Sequence, residues 1–328
     1  MEKTTLGPLE VSVLQLGAML FGTVTEEQLS RRLLDRFVDA GGTFIDTSNN
    51  YAFWPANGTA GTSESVLGRW LKDRGRRDDV VIATKCGALP NRVGAGLEDI
   101  EGLSKAVIVK DIDDSLKRLG TDYVDLYYAH IDDRTTPLEE TLEGFDAVVK
   151  AGKVRAIGCS NYAVWRIEQA RQISRRLGYA EYAALQQHHS YFRPQPRSDF
   201  VKSSSMGRRG GFGHEGGLSG QHLDYIREDP AFRVVAYTPM MRGAYVNPDK
   251  LPENYRTADN DKRARALGEV VAETDATANQ VVLAWLLQGN PQIIPLMAVS
   301  KMEQLSDNLG ALDVKLTPEQ IARLDSAA

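Results

Sequence analysis

The sequence predicts a single (β/α)8 TIM barrel, preceded by an N-terminal β-hairpin and followed by a C-terminal helix, and three observations carry that expectation. Short apolar, β-branched runs alternate eight times with longer segments of helical period, the pattern of parallel strands joined by crossover helices. No internal repeat or linker divides the 328 residues, and barrels commonly exceed the usual domain size as one unit. Successive strand-like runs also end in polar or titratable residues, as they would where strand ends converge on one mouth. An open doubly wound sheet gives the same alternation, so the motifs have to separate the two.

A hairpin is expected near Thr4–Val13. Strand-like runs follow at Leu14–Gly17, Thr43–Ile45, Val80–Ala83, Tyr123–Tyr127, Val154–Ile157, Tyr182–Leu185, Val234–Ala236 and Ile293–Ile294. Helical period marks Glu26–Ala40, Ser63–Asp73, Lys105–Leu119, Leu138–Ala151, Val164–Leu177, Gln221–Glu228, Arg263–Gln288 and Lys301–Leu309. Pro137 after Thr136 suits a first helical position, and Gly152 and Gly178 sit where a glycine ends a helix. Ala276–Thr277 splits the long seventh segment, and Thr317-Pro318-Glu319 opens a terminal helix. Two connections interrupt the rhythm. Residues 86–102 form a polar, glycine-containing link, and residues 194–220 read as a long Gly-rich loop. The second leaves the sixth strand at the mouth, so a lid is one reading and an inert surface loop the other.

Apolar residues make up 42% and charged residues 25%, which is ordinary for a globular chain with a sizeable core. A net charge of −5 supplies no basic footprint for nucleic acid or an anionic membrane. No apolar run reaches the roughly 18 residues of a membrane span, and no signal peptide opens the chain. A cytoplasmic protein with a small-molecule partner is expected, with homo-oligomerisation left open. Cys86 and Cys159 lack the number and spacing of a disulfide framework or a structural zinc site, and no metal is expected.

Chemistry concentrates at the strand ends. Asp46 follows Thr43–Ile45, Lys85 follows Val81–Thr84, and His130 follows Leu126–Ala129. Ser160-Asn161, Gln186 and Tyr237 end the next three strands in the same way. An unpaired buried charge costs several kcal/mol. Asp46 and Lys85, opposite in charge on neighbouring strands, are therefore expected to pair.

These residues resemble those of the aldo-keto reductases. Phe44-Ile45-Asp46-Thr47-Ser48-Asn49-Asn50-Tyr51 looks like the family segment in which Asp precedes the catalytic Tyr by five positions, and Ser63-Glu64-Ser65-Val66-Leu67-Gly68 matches what usually follows it. Val81 to Lys85 and Asp125 to His130 resemble the strands carrying the family's Lys and His. Gly158-Cys159-Ser160-Asn161, Ala236-Tyr237-Thr238-Pro239 and the segment from Pro295 to Asn308 complete a match in family order. The branch is similar to the potassium-channel β-subunits and their bacterial relatives.

The resemblance implies a catalytic group of Asp46, Tyr51, Lys85 and His130. Tyr51 would protonate a carbonyl oxygen, and Lys85, held by Asp46, would favour phenolate character. His130 would donate a hydrogen bond to that oxygen. Ser160, Asn161 and Gln186 would hold a nicotinamide carboxamide, with Tyr237 stacked under the ring and Thr238, Pro239, Arg242 and Gly243 beside it. Ser300, Lys301, Gln304 and Asn308 would surround the adenosine end, where the Lys301 cation favours the 2′-phosphate of NADPH/NADP+. The implied activity is NADPH-dependent reduction of an aldehyde or ketone to an alcohol, with secondary-metabolite ketones among the substrates. A nucleotide-binding regulatory subunit is one alternative. A barrel hydrolase with a metal at Asp46, His130 and His189 is another.

Three departures from the family pattern bear on the substrate. Residues 52–62 form an insertion directly after Tyr51, which makes Phe53 and Trp54 candidates for the substrate wall. His189 stands where an aromatic Tyr is common and is a third candidate, and the 194–220 loop is the last departure. Gly211-Phe212-Gly213-His214-Glu215-Gly216 satisfies a dinucleotide fingerprint, yet no strand precedes it and no helix follows at once, so it is not read as one.

Overall fold

A computed structural model describes residues 1–54, 59–92, 94–195 and 217–327. Strands β1 (Lys3–Leu6) and β2 (Leu9–Ser12) pair antiparallel as the expected hairpin. Gly7 turns it with φ +52, and a Cβ there would come within 2.7 Å of the Ala183 Cβ, so only glycine lets the turn lie against the barrel.

Eight parallel strands close the barrel: β3 (Gln15–Gly17), β4 (Phe44–Asp46), β5 (Val81–Cys86), β6 (Val124–Ala129), β7 (Val154–Ser160), β8 (Tyr182–His188), β9 (Arg233–Tyr237) and β10 (Ile294–Ala298). The ring shuts where Leu296 of β10 pairs with Gln15 of β3. All eight expected strands are present. Several run past their expected ends: β5 continues through Thr84-Lys85-Cys86 and β8 through Gln186-Gln187-His188. Polar side chains mark a strand end in the sequence, but a neighbouring strand keeps the backbone ladder paired whatever the side chain is.

Alternation along each strand decides which residues enter the barrel. Phe44, Ala83, Leu126, Tyr128, Ala156, Ala184 and Val235 fill the interior and pack with Leu6, Leu9 and Val11 of the hairpin. Ile45, Ile82, Tyr127, Ile157, Leu185 and Val234 face outward into the helix layer. Counting on by twos along the inner rows reaches Asp46, Lys85, His130, Ser160, Gln186 and Tyr237. The strand-end groups thus converge because they share parity with the core.

Ten α-helices occur among the described residues: α1 (Glu27–Asp39), α2 (Thr62–Arg74), α3 (Lys105–Leu119), α4 (Leu138–Lys150), α5 (Val164–Leu177), α6 (Gly220–Glu228), α7 (Ala258–Thr274), α8 (Ala278–Gln288), α9 (Met302–Leu309) and α10 (Pro318–Asp325). The expected split falls between α7 and α8, where Asp275 adopts φ 52 and Thr277 with Gln280 forms a capping box. Helix α7 starts five residues before the expected Arg263. Its polar first turn, Ala258-Asp259-Asn260-Asp261, shows no apolar period, yet the Thr257 side chain accepts from Asn260 N and caps it. Among the described residues no helix is long and apolar enough to cross a membrane. Residues 196–216, with the lid reading and the Gly211–Gly216 motif, lie outside the described residues, as do 55–58 of the insertion.

Candidate active site

Asp46 and Lys85 meet at the barrel mouth. Lys85 Nζ donates to Asp46 Oδ2 at 2.6 Å, to the Thr47 carbonyl at 2.7 Å and to the Tyr51 hydroxyl at 2.8 Å. The ammonium's three donors are thereby all used. Lys85 is 0% and Asp46 1% exposed, and Gln186 Nε2 donates to the second carboxylate oxygen at 2.8 Å. The expected ion pair is present, with the phenol attached to it. Ser63 and Glu64 support it from behind. Ser63 Oγ lies 2.8 Å from Thr47 Oγ1, and buried Glu64 accepts from Thr84, the neighbour of Lys85.

Burial, reinforced by the Asp46 carboxylate, pushes the Tyr51 phenol well above its ordinary pKa. Lys85 donates to the phenol oxygen, the contact that would favour phenolate character once the proton has left. Burial first and the Asp46 carboxylate second both favour the protonated phenol. Burial also lowers the Lys85 ammonium, against the opposing pull of Asp46. His130 sits edge-on to Tyr51 with ring centroids 5.9 Å apart, and burial, aided by the Lys85 charge, holds its imidazole well below the usual value.

The polar run between Asp46 and Tyr51 shapes the site further. Ser48 Oγ lies 3.2 Å from His130 Nδ1 and donates to Asn50 Oδ1 at 2.8 Å, while Asn50 Nδ2 donates to the Ala88 carbonyl at 2.9 Å. Asn49 Nδ2 bridges two carboxylates, half-buried Glu101 at 3.1 Å and buried Asp111 at 2.8 Å. Glu101 also accepts from Gly87 N and Leu89 N, tying down the link after Lys85. Burial and the adjacent Asp111 raise the Glu101 carboxyl from its ordinary 4.5 to about 8. The folded protein therefore keeps a proton that the unfolded chain has lost between those values, and stability falls as pH rises through that window. Glu101→Gln should flatten this slope and gain several degrees in Tm over the parent at mildly alkaline pH. Melting curves measured across the same window check it, and parallel curves would contradict the retained proton at Glu101.

The next three strands supply a second set. Asn161 Nδ2 donates to Ser160 Oγ at 3.0 Å and to the His130 carbonyl at 3.2 Å, while its Oδ1 accepts from the Tyr237 hydroxyl at 2.8 Å. With Gln186 Nε2 given to Asp46, these bonds leave a Ser160 hydroxyl proton and the Gln186 Oε1 lone pairs. One donor beside one acceptor complements a primary carboxamide, so the set fits a nicotinamide. Thr238 and Arg242 hold φ 58 and 55 in the turn after β9, with Gly243 at φ 89. Pro239, buried there, gives its carbonyl to the Tyr245 hydroxyl at 3.0 Å. Past β10, Ser300 donates to Gln304 Oε1 and Lys301 is the exposed N-cap of α9, with Asn308 buried further along that helix. All of these lie at the C-terminal ends of the strands.

The substrate-wall residues divide. The chain leaves Tyr51 through Ala52 at φ 74 and sets Trp54 edge-on to the phenol, with centroids 6.3 Å apart and Phe53 against Trp54 at 5.1 Å. His189 is not brought to this group. Its parity puts it on the outward row of β8, where it stacks on Trp285 at 5.9 Å and burial lowers its pKa to about 3. His188 takes the inward place, edge-on to Tyr237 at 5.4 Å. Sequence reading missed His188, Ser48, Asn50 and the Asn49–Glu101–Asp111 cluster. Parity counted from Ala184 would have chosen His188 over His189. Among the described residues no three His, Cys, Asp or Glu side chains converge as metal ligands.

Comparison with known proteins agrees with this geometry. The family model described as the aldo/keto reductase family matches residues 13–205 and 221–328. The uncharacterized oxidoreductase YrpG of Bacillus subtilis is 31% identical, covering 99% of this chain and 95% of that protein. An aryl-alcohol dehydrogenase (NADP(+)) of Phanerodontia chrysosporium is 29% identical over 97% of this chain and 82% of its own. The crystal structure of a thermostable aldo-keto reductase, Tm1743, with the inhibitor epalrestat superposes with a TM-score of 0.72 at 27% identity, over 100% of both chains.

Proposed function

The chain belongs to the aldo/keto reductase family, and from that premise we propose that it reduces an aromatic aldehyde or ketone to the alcohol with NADPH. The observation that carries this reading is the buried Asp46–Lys85–Tyr51 arrangement, a protonated phenol 2.8 Å from an ammonium that a carboxylate holds in place. NADPH, when bound, supplies the hydride. Tyr51 remains a phenol through neutral pH and gives its proton to the carbonyl oxygen as negative charge builds there. Lys85 then stabilises the phenolate through a hydrogen bond that is charge-assisted on both sides. Asp46 keeps Lys85 aimed, and Gln186 keeps Asp46 aimed. His130 flanks the position of the carbonyl oxygen and orients the substrate. Ser160, Asn161 and Gln186 hold the carboxamide, and Lys301 at the end of β10 takes the 2′-phosphate.

An aromatic substrate is favoured by the rim. Val24, Trp54 and Val246 are large apolar residues left exposed on the connections after β3, β4 and β9, and Trp165 is exposed in the first turn of α5 after β7, all following C-terminal strand ends. The similarity to the aryl-alcohol dehydrogenase (NADP(+)) supports the same class and the same cofactor. Trp54→Ala should raise KM for an aryl ketone roughly tenfold, the loss of about 1.5 kcal/mol of apolar contact, and change kcat far less. An unchanged KM would remove Trp54 from the wall. The proposal as a whole is tested by following NADPH loss with a panel of aryl and alkyl carbonyls. Steady turnover with the aryl members supports it, whereas NADPH binding without turnover would favour the regulatory reading.

A further inference from the structure

Away from the catalytic group, the outer groove between α6 and α8 holds a cavity of about 250 Å3. Its walls come from the exit of β8, from α6, from the end of α8 with residues 289–293, and from α10. His189 is one of them, because the outward row of β8 carries it into the helix layer, where it is 4% exposed and stacked on Trp285. Burial first, then the Arg193 charge, lower the imidazole pKa to about 3, so the ring is neutral at ordinary pH. A neutral ring owns one N–H and one lone pair. The backbone N–H of His189 donates to the Tyr237 carbonyl at 3.2 Å, but neither ring nitrogen meets a hydrogen-bond partner among the described residues. Buried polar groups without a partner are rare in folded proteins, and one that lines a cavity points to a guest.

The charged walls are unequal in sign and in what they have left to give. Arg193 and Arg227 bring two guanidiniums, and Asp325 brings one carboxylate. Asp325 already accepts from Trp285 Nε1 at 2.7 Å. Arg227 gives Nε and Nη2 to the Asn290 carbonyl at 3.3 and 3.1 Å, which closes that side of the cavity. The backbone of Arg193 is fixed by Asn260, whose Oδ1 accepts from the Arg193 N–H at 3.0 Å and whose Nδ2 donates to the Arg193 carbonyl at 2.7 Å. The exposed Arg193 guanidinium has no hydrogen-bond or acid partner among the described residues. A planar fork of donors on a fixed backbone, beside an imidazole with an unspent N–H, matches the two oxygens of a carboxylate. Leu223, Leu286 and Ile293 make the apolar part of the wall. A cavity of about 150 Å3 already admits benzene, so this one has room for an aromatic ring and a charged substituent.

We propose that this groove is a second small-molecule site, outside the barrel, that takes an aromatic monocarboxylate. The Arg193 fork holds the two carboxylate oxygens, the His189 N–H adds a further donor, and the ring lies on Leu223, Leu286 and Ile293. Asp325 opposes a second negative charge on the guest. The site stands apart from the Asp46–Lys85–Tyr51 group and needs neither NADPH nor the reductase reading.

Calorimetric titration of the full chain with benzoate, benzamide and acetate tests it. Benzoate should bind once per chain, with benzamide and acetate each about tenfold weaker or worse, since one lacks the charge and the other the ring. Arg193→Met should weaken benzoate about tenfold, and His189→Phe, which keeps a ring against Trp285, about threefold or more. Trp54→Ala, at the barrel mouth, should leave benzoate within roughly twofold of the parent. Hydrogen exchange on the parent should show benzoate protecting α6 and the end of α8. No saturable benzoate binding in the millimolar range overturns the site. Benzoate affinity that falls with Trp54→Ala and is untouched by Arg193→Met, or protection confined to the mouth, assigns the guest to the mouth and overturns it too. Acetate or benzamide binding as tightly as benzoate overturns the ligand class. The ligand comparison and the exchange pattern use the parent alone, so they decide even if a variant fails to fold.

Discussion

Tyr51→Phe is expected to lower kcat for carbonyl reduction by about a thousandfold while leaving NADPH affinity within roughly twofold of the parent, since positioned acids contribute factors of about 10²–10⁴. The substitution removes one oxygen. That oxygen bonds to Lys85 and reaches toward Asp46 at 3.4 Å, and it has no part in the Ser160–Asn161–Gln186 set. Lys85 keeps its bonds to Asp46 and the Thr47 carbonyl, so the framework stands without the phenol. Fluorescence titration with NADPH, beside single-turnover rates, separates the two effects. A variant that loses cofactor binding would show that Tyr51 belongs to the nucleotide site, and one that keeps full turnover would pass the proton-donor role to another residue.

Lys85→Met should fail in two ways at once. Activity falls by about a hundredfold or more, because the phenolate that follows proton transfer loses its cation. Stability falls by about 3–5 kcal/mol, because Asp46, 1% exposed, remains as a buried carboxylate without its cation. Urea unfolding together with kcat measures both. Pairing this change with Asp46→Asn tests the cause, since removing both charges should recover much of the stability and none of the activity. If the double variant were no more stable than Lys85→Met alone, the ion pair would not be what the buried charges depend on.

The residues that were legible in the sequence are those with charge or alternation behind them. Asp46 and Lys85 announced themselves as opposite charges closing two apolar runs, and their pairing is as expected. The eight strands were legible from β-branched runs, but their ends were not. Thr84-Lys85-Cys86 reads as a polar exit, although β5 continues through it under the cover of β4 and β6. The Ser48–Asn50–His130 chain was illegible for another reason. Its direction is set by a backbone carbonyl, at Ala88, and backbone atoms leave no trace in a sequence. His189 was a candidate because it stands where an aromatic Tyr is common in the family pattern, yet its odd step from Gln186 along the strand turns the side chain to the other face.

The hairpin beneath the barrel also governs traffic. Leu6, Leu9 and Val11 seal the far end against the inner strand residues, so among the described residues the barrel opens at the mouth. Ser160, Asn161 and Gln186 lie at 1–2% exposure, well below the rim where Trp54 is 46% exposed. With the proposed seating, a nucleotide on the deep set and a carbonyl at the rim would share one doorway. The deeper guest would then arrive first and depart last, an order of binding that traces back to four-residue strands at the opposite end of the molecule.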